Sequence, residues 1–223
     1  MSIALLVITD GREEYLRRTV ASAEANLLPS EEIAERWMFD DTGDDDYRAD
    51  LANEFPRFRV FGCGGRRGFG GAIRAAWASL RLHSKAEYVF HLECDFTFNR
   101  AVNLDDMQDL LGIRPNLAQV ALRRQPWNDE EHRAGGIVEQ HPESYEETRF
   151  FNLAWLEHSR FFTTNPCMYR RELMSLRWPE GAQSEGMFGL ALKASGMNFA
   201  YLGARDSSPW VHHIGDERVG SGY

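Results

Sequence analysis

The chain has 223 residues, which is enough for one domain with a real hydrophobic core or for two small ones. Its 43% hydrophobic and 26% charged residues exclude a disordered chain. The net charge of −9 argues against broad, nonspecific binding to nucleic acid or to anionic membranes. No apolar run in the sequence approaches the roughly 20 residues that a membrane-spanning helix needs.

Cysteine and lysine usage narrows the class of protein further. Cys63, Cys94 and Cys167 are widely spaced and form no CxxC pair, which excludes a disulfide framework or a zinc knuckle. We therefore expect a reducing, cytoplasmic location. Only Lys85 and Lys193 are lysines, so nearly all of the basic charge is arginine. Either genome composition explains this bias, or some arginines clamp a phosphate or carboxylate with their planar fork.

The first hundred residues alternate between strand and helix patterns. Residues 3–9 form a continuous β-branched and leucine run, which predicts a buried strand. They lack the basic stretch and cleavage site of a signal peptide. Residues 13–27 carry apolar side chains at helical spacing after two glutamates, which favours a helix. The same patterns predict strands at 37–39, 58–61 and 88–92, and a helix from Gly71.

This alternation predicts an α/β fold with a mostly parallel, Rossmann-like central sheet flanked by helices. In such sheets the ligand crevice lies at the carboxyl ends of the strands. Polar residues of the sequence fall at those ends: Thr9 and Asp10, Asp40 and Asp41, Arg66 and Arg67, and Glu93 and Asp95. We expect these residues to share one site.

The second half of the chain is less regular. Residues 126–158 are polar, acidic and aromatic, and predict a long loop or lid. The tail from Trp210 onward is predicted to be irregular. The remaining predictions are a helix at 104–111, a strand at 117–122, a strand within 161–169, helices at 171–176 and 184–195, and a strand at 198–202. Without a linker or repeat, residues 1–223 are expected to form a single domain.

Glu93 and Asp95 are the strongest candidates for a metal site. Residues two apart in an extended segment point to the same side, so their carboxylates would converge at the end of an apolar strand. Two such charges repel unless a cation neutralises them, and carboxylates favour a hard ion such as Mg²⁺ or Mn²⁺. A solvated strand end is the alternative explanation of the same pattern.

The glycine-rich run at residues 62–71 is neither a Walker A loop nor a dinucleotide fingerprint. With Arg66 and Arg67 before a helix, it suits an anion held by backbone N–H groups, although a flexible turn is equally compatible. Asp40 and Asp41 could accept hydrogen bonds from a nucleobase or a ribose. The acids that follow them, Asp44, Asp45, Asp46 and Asp50, are expected to belong to a solvated acidic loop.

Two later positions complete the set of candidates. Glu185 lies at the start of a predicted helix, where the dipole favours a carboxylate; facing the crevice, it could act as a general base. His212 and His213 would point in opposite directions in an extended chain, so at most one of them could reach a metal. The polar residues Asp216, Glu217 and Arg218 follow them.

Together these motifs resemble the GT-A nucleotide-sugar glycosyltransferases, and among them the inverting family 2 type. Residues 7–12 (VITDGR) resemble the opening strand and donor-binding turn, residues 39–44 (FDDTGD) the Asp-Asp-Gly-Ser-x-Asp turn, and residues 66–72 (RRGFGGA) the Asn-x-Gly-x-x-x-Ala segment. The resemblance implies that residues 1–100 form the nucleotide-sugar half, and residues 101–223 the acceptor half. It also implies that Asp41 binds the nucleobase of the donor. The other donor-binding residues that it implies are Thr9, Asp10, Arg12, Arg66, Arg67 and Gly68.

The resemblance also assigns the chemistry. Glu93-Cys94-Asp95 resembles the Asp-x-Asp motif, which implies that Asp95 ligates the metal and that Glu93 contacts ribose or metal. Glu185 resembles the catalytic base of the Glu-Asp segment, with Gly186 in the place of the Asp. His213 resembles the late histidine of the metal site, with His212 as the alternative.

The function implied is transfer of a sugar from a UDP- or GDP-sugar to an acceptor hydroxyl, with Mn²⁺ or Mg²⁺ and with inversion. Gly186 leaves a retaining reaction open. A sugar nucleotidyltransferase would need a G-x-G-x-R loop after the first strand, where only Gly11 stands. A non-catalytic sugar-nucleotide-binding module is the other alternative. Protein, glycan and modified base all remain candidate acceptors, with residues 126–160 as the acceptor lid; without an anchor, a soluble acceptor is expected.

Overall fold

A computed structural model describes residues 2–215 and contains one large mixed sheet with two small satellite sheets. The strands are β1 (Ile3–Thr9), β2 (Leu27–Leu28), β3 (Ile33–Asp40), β4 (Arg59–Gly62), β5 (Tyr88–Glu93), β6 (Phe96–Phe98), β7 (Val102–Asn103), β8 (Leu117–Ala121), β9 (Glu146–Phe150), β10 (Leu153–His158), β11 (Cys167–Arg170), β12 (Asn198–Leu202) and β13 (Val211–His213). The helices are α1 (Glu13–Asn26), α2 (Asp45–Glu54), α3 (Gly68–His83), α4 (Leu104–Ile113), α5 (Asp129–Ala134), α6 (Ile137–Gln140) and α7 (Ser184–Ala194). Short 3₁₀ turns cover Ser30–Glu32, Pro142–Ser144 and Arg171–Ser175.

The nine-stranded sheet has the order β4-β3-β1-β5-β11-β8-β12-β10-β9. Its first four strands are parallel, as the sequence predicts, while β11 enters antiparallel between β5 and β8. The chain runs from β1 outward to β3 and β4, and then returns to place β5 on the other side of β1. The crevice of an open α/β sheet forms at such a switch point, so the carboxyl ends of β1 and β5 mark the expected site.

Hydrophobic cores lie on both faces of the sheet, which explains the continuous apolar run of β1. Ile3, Leu5 and Val7 pack with α1, α2 and α4, whereas Ala4 and Leu6 pack with α3 and α7. A strand that is buried on both sides has no solvent face for polar residues. This arrangement confirms the predicted α/β fold. Within residues 2–215, no helix is long and apolar enough to cross a bilayer.

Helix α2 corrects the prediction of a solvated acidic loop after Asp41. Asp44 is its N-cap, and its Oδ1 accepts hydrogen bonds from the backbone N–H groups of Asp46 and Tyr47 at 2.9 and 3.1 Å. Asp45 and Asp46 occupy the first turn, where the helix dipole favours negative charge. Leu51 is the only fully buried residue of this helix, so the sequence carries little helical periodicity there.

The predicted lid at residues 126–158 is also wrong in part, because it contains α5, α6, β9 and β10. The two strands form an antiparallel hairpin that completes one edge of the large sheet, and Trp155 of β10 is buried. The strand predicted within 161–169 is shorter and shifted, at β11. In the tail, Val211–His213 is a strand paired with β6 rather than irregular chain. Asp216, Glu217 and Arg218 lie outside the described residues.

Candidate donor and catalytic site

A cavity of about 760 Å³ opens where the parallel strands end. Its wall combines residues from both halves of the chain, although they are far apart in the sequence. Seven of the residues predicted from the sequence line it: Arg12, Arg67, Gly68, Glu93, Asp95, Glu185 and His213. Thr9 and Asp10 line a smaller neighbouring cavity, which shares Arg12 and Glu93 with the large one.

Asp95 lies at the centre of a buried charge cluster in this wall. Its Oδ2 accepts hydrogen bonds from Arg12 Nη2 at 2.9 Å and from His213 Nε2 at 3.2 Å. Its Oδ1 is buried and has no hydrogen-bond partner among residues 2–215. Burial raises the pKa of Asp95, but His213 and Arg12 outweigh burial and lower this pKa overall. Asp95 therefore carries a negative charge with one oxygen left for a further cation.

Strand β13 determines which histidine reaches Asp95. It pairs antiparallel with β6, with His213 opposite Phe96 and with His212 exposed on the other face. Gln125 anchors the backbone of His213 through two hydrogen bonds of 2.9 Å. The imidazole also packs against the rings of Phe96 and Trp127, with centroids at 4.7 and 4.3 Å. His213 thus lies against Asp95, and His212 does not.

Glu93 lines the cavity beside Asp95 but is held differently. Its Oε1 is buried without a hydrogen-bond partner in the described chain and lies 4.0 Å from Nε2 of buried His91. Both carboxylates of the Glu93-Cys94-Asp95 segment border the same cavity, as predicted, although β5 ends at Glu93 and Asp95 lies in the turn that follows. Asp10, at the end of β1, binds Arg12 Nε through both of its oxygens at 2.9 Å.

Asp41 organises the glycine-rich turn. It is 1% exposed, and its two oxygens accept hydrogen bonds from the backbone N–H groups of Arg67 and Gly68 at 2.8 and 2.9 Å. These N–H groups belong to the start of α3, so the carboxylate caps that helix. With this cap, α3 begins at Gly68, earlier than the predicted Gly71.

The ends of β1 and β3 are tied to the same turn. Asp41 N donates to the carbonyl oxygen of Thr9 at 2.9 Å, and Thr9 is fully buried. Arg66 Nη2 donates to the carbonyl oxygen of Asp10 at 2.9 Å. Thr9, Asp10, Asp41 and Arg66 therefore lie together, as predicted, although Asp41 and Arg66 line neither of the two cavities.

Glu185 reaches the cavity from the second half of the chain, in the first turn of α7. Its Oε1 accepts two hydrogen bonds from Thr164, one from the backbone N–H at 2.6 Å and one from Oγ1 at 2.8 Å. Burial raises the pKa of Glu185, and the negative charge of Glu93 adds to this, while the Thr164 hydrogen bonds counteract it. The net effect is a raised pKa, which suits a group that accepts a proton from a substrate.

Sequence reasoning missed Thr164 and Arg74, which also line the cavity. Thr164 lies in an irregular segment and contacts Glu185 from 21 positions away, so no local pattern marks it. Arg74 occupies a helical position that a solvated arginine would occupy equally well. Trp127, which the sequence places in the lid, lines the cavity next to His213.

Gly70 lies at the contact between the glycine-rich turn and α7. A Cβ at this position would lie 2.6 Å from Ser184 Oγ and 3.3 Å from Trp178 Nε1, and both of these side chains are buried. Ser184 opens α7 and precedes Glu185. The absence of a side chain at Gly70 therefore lets the donor side of the site approach the helix that carries Glu185.

Substitution of Gly70 by alanine should displace the start of α7 and lower kcat of the reaction at this site by about 10- to 100-fold, because small misplacements of a reacting group are costly. Steady-state kinetics will measure this effect. Gly112→Ala is the matched control, because that helical glycine has open space around its Cα. An unchanged kcat in Gly70→Ala would show that this contact does not position Glu185.

Solved structures of GT-A glycosyltransferases share this fold. GalNAc-T7 with UDP, GalNAc and Mn²⁺ matches with a TM-score of 0.67 at 12% identity, covering 96% of this chain and 44% of that one. S. aureus TarS 1-349 with UDP matches with a TM-score of 0.65 at 15% identity, covering 95% of this chain and 60% of that one. Its complex with UDP-GlcNAc matches with a TM-score of 0.63 at 16% identity, covering 100% of this chain and 60% of that one. The protein thus has the GT-A fold, and it spans less than two thirds of these relatives.

A sequence model of the family described as glycosyl transferase family 2 matches residues 5–177, which is more than half of the chain. The chain therefore belongs to glycosyl transferase family 2, and the resemblance drawn from its motifs is confirmed. No curated protein matches the chain significantly.

Proposed function

We propose that the protein is a metal-dependent glycosyltransferase that moves a sugar from a nucleotide-diphosphate sugar to an acceptor hydroxyl with inversion. The observation that carries this proposal is one cavity that holds both the Asp95–His213 pair and Glu185. The pair offers a cation site for a diphosphate, and Glu185 offers a base with a raised pKa. A module that only bound the donor would have no need for this base.

The donor would occupy the switch point between β1 and β5. Asp41 and the turn that it caps would border the nucleobase, and Glu93 the ribose, while Arg12 would lie near the diphosphate. UDP and GDP are both candidate donor nucleotides, and UDP is the nucleotide in the TarS and GalNAc-T7 structures. The donor set that we propose is Thr9, Asp10, Arg12, Asp41, Arg66, Arg67, Gly68 and Glu93.

The residues present fit a divalent cation, Mn²⁺ or Mg²⁺, held by Asp95 and His213. The unpartnered, buried Oδ1 of Asp95 is a suitable ligand, and Nε2 of His213 would become one on losing the proton that it donates to Asp95 Oδ2. Within residues 2–215, no three His, Cys, Asp or Glu side chains group closely enough to hold an ion. The donor's phosphates and water would therefore complete the shell, as is usual for Mg²⁺. When bound, the ion neutralises charge on the leaving diphosphate.

Glu185 would take the proton of the acceptor hydroxyl. Thr164 holds Oε1 through two hydrogen bonds, which fixes the carboxylate relative to the cavity. The acceptor oxygen would form its bond to the anomeric carbon on the face opposite the leaving nucleotide, whose bond to that carbon breaks. The configuration at that carbon is therefore inverted. Trp127 borders the cavity on the side of residues 126–160 and would contact the acceptor.

A thermal-shift screen of UDP, GDP and their sugars, each with Mn²⁺, Mg²⁺ or EDTA, tests donor binding. One nucleotide should raise Tm with the metal and do so much less with EDTA, because a ligand bound only by the folded state stabilises it. Incubation with the matching sugar donor should then release nucleoside diphosphate. Binding without any release, with water or with an acceptor library, would favour the non-catalytic module.

The pH profile provides a further check on Glu185. Because burial and Glu93 raise its pKa, kcat/KM should fall on acidification at a pH above the ordinary glutamate value of 4.5. Thr164→Val removes the Oγ1 hydrogen bond that stabilises the carboxylate, so the acid limb should move to still higher pH. Profiles of the two proteins measure this shift. An acid limb that does not move would place the titration on another group.

A further inference from the structure

Two arginines of helix α3 and its N-cap lie in the wall of the cavity. Arg67 precedes the helix and Arg74 lies two turns further on, so the two positions share one helix face. A Cβ at Gly71, between them, would lie 2.7 Å from Arg67 Cβ and 3.7 Å from Arg74 Nη2. The Arg67 side chain therefore runs alongside Gly71 towards Arg74, although its backbone N–H binds Asp41.

Neither guanidinium group has a carboxylate partner among residues 2–215. Arg74 donates one hydrogen bond, from Nη1 to the carbonyl oxygen of Pro179 at 2.8 Å. Arg67 is exposed, whereas Arg74 is half-buried in the cavity wall. Arg12 is the contrasting case in the same cavity, because Asp10 and Asp95 both bind it.

The cavity wall also contains three carboxylates. Glu93, Asp95 and Glu185 all face it, so an anion without its own counter-charges would be repelled. The proposed cation at Asp95 and His213 would neutralise the negative charge of the donor's diphosphate at one end of the cavity. Arg74 would compensate a second anion at the end of the cavity that Gly181 and Ala182 line, because its Nη1 binds the neighbouring Pro179.

We infer that this second end binds an anionic group of the acceptor, a carboxylate or a phosphate, so that the enzyme glycosylates acidic acceptors. This inference rests on the proposed function, because it needs the donor in the remainder of the cavity. An arginine fork matches the geometry of both anions, and Arg74 still has donors besides the one on Pro179.

The residues around Arg74 indicate that the anion belongs to the acceptor rather than to the donor. Its Nη1 holds Pro179, and the nearby residues Gly181 and Ala182 also belong to the acceptor half. Ser184, at the start of the same helix as Glu185, contacts the turn at Gly70. A hydroxyl next to Glu185 would therefore lie on the same side of the cavity as Arg74.

The test uses the fluorescently labelled protein with UDP and Mn²⁺ on an array of neutral, uronate-bearing and phosphorylated glycans. Acidic glycans should retain at least about tenfold more protein than their neutral counterparts. Comparison of the uronate-bearing with the phosphorylated glycans identifies which anion the protein binds. Arg74→Gln should reduce this preference to about twofold or less while leaving the Kd for UDP unchanged. Arg81→Gln, an exposed arginine on the same helix, is the matched control and should keep the preference.

Equal retention of neutral and acidic glycans, or retention of neither, would overturn the inference while UDP binding leaves the proposed function standing. A loss of UDP affinity in Arg74→Gln equal to the loss of glycan binding would overturn it too, because Arg74 would then serve the donor. A preference that is confined to donors with an acidic sugar, measured by competition with UDP-glucuronate against UDP-glucose, would also place the anion on the donor. Failure of wild-type protein to bind any nucleotide would instead overturn the proposed function.

Discussion

Replacing Glu185 by glutamine should lower the rate of sugar transfer by at least about 100-fold and leave the Kd for the donor within about twofold, because a general base contributes to the reaction and not to donor binding. Glutamine keeps the shape of the side chain, and its amide oxygen can still accept the two hydrogen bonds from Thr164. It cannot take up a proton from the acceptor hydroxyl. Transfer rates and donor titrations of the same preparation measure both quantities.

Glu180→Gln is the matched control for this substitution. Glu180 is an exposed glutamate a few residues earlier, paired only with exposed Arg177. The Glu180→Gln variant should transfer sugar at the wild-type rate. Unchanged turnover in Glu185→Gln would remove the base assignment, and a parallel loss of donor binding would mean that Glu185 holds the donor. The residual activity of Glu185→Gln should also lack the acid limb of the wild-type profile.

Much of the fold of the first hundred residues could be predicted because the information is local. Strand β1 is buried on both faces, so residues 3–9 are apolar without interruption, and the polar residues begin where the strand ends. Helix α2 could not be found this way, because it buries Leu51 alone and is stabilised by the Asp44 cap. The hairpin of β9 and β10 escaped prediction because β9 lies at the sheet edge and remains largely exposed.

In the candidate site too, some residues could be predicted from local sequence patterns and others could not. Glu93 and Asp95 could be predicted from their position at the end of an apolar strand, whereas the choice of His213 over His212 required the pairing of β13 with β6. The contact of Thr164 with Glu185 depends on packing between distant segments, which no local pattern encodes. The sequence places Asp41 at the site, but its role as the cap of α3 is visible only in the structure.

The second large effect is expected for Asp95→Asn. This substitution should abolish the Mn²⁺-dependent gain in UDP affinity and lower transfer by at least about 100-fold, because a bound metal supplies several kcal/mol of charge stabilisation. Asparagine preserves shape but not charge, so Oδ1 loses most of its affinity for a cation. Isothermal titration with UDP, in Mn²⁺ and in EDTA, measures the gain. Asp50→Asn, at an exposed position on α2, is the control and should retain it.

Asp95→Asn alone would not separate two roles, because Asp95 also binds Arg12 at 2.9 Å. His213→Gln separates them, since it removes the imidazole and leaves the Asp95–Arg12 pair intact. If Asp95 and His213 together bind the ion, both variants should lose the Mn²⁺-dependent gain. If Asp95→Asn alone weakens UDP binding, and does so equally in Mn²⁺ and EDTA, Asp95 acts by holding Arg12 against the diphosphate. That outcome would replace the metal site with an arginine site, because Arg12 would then supply the positive charge that the leaving group requires.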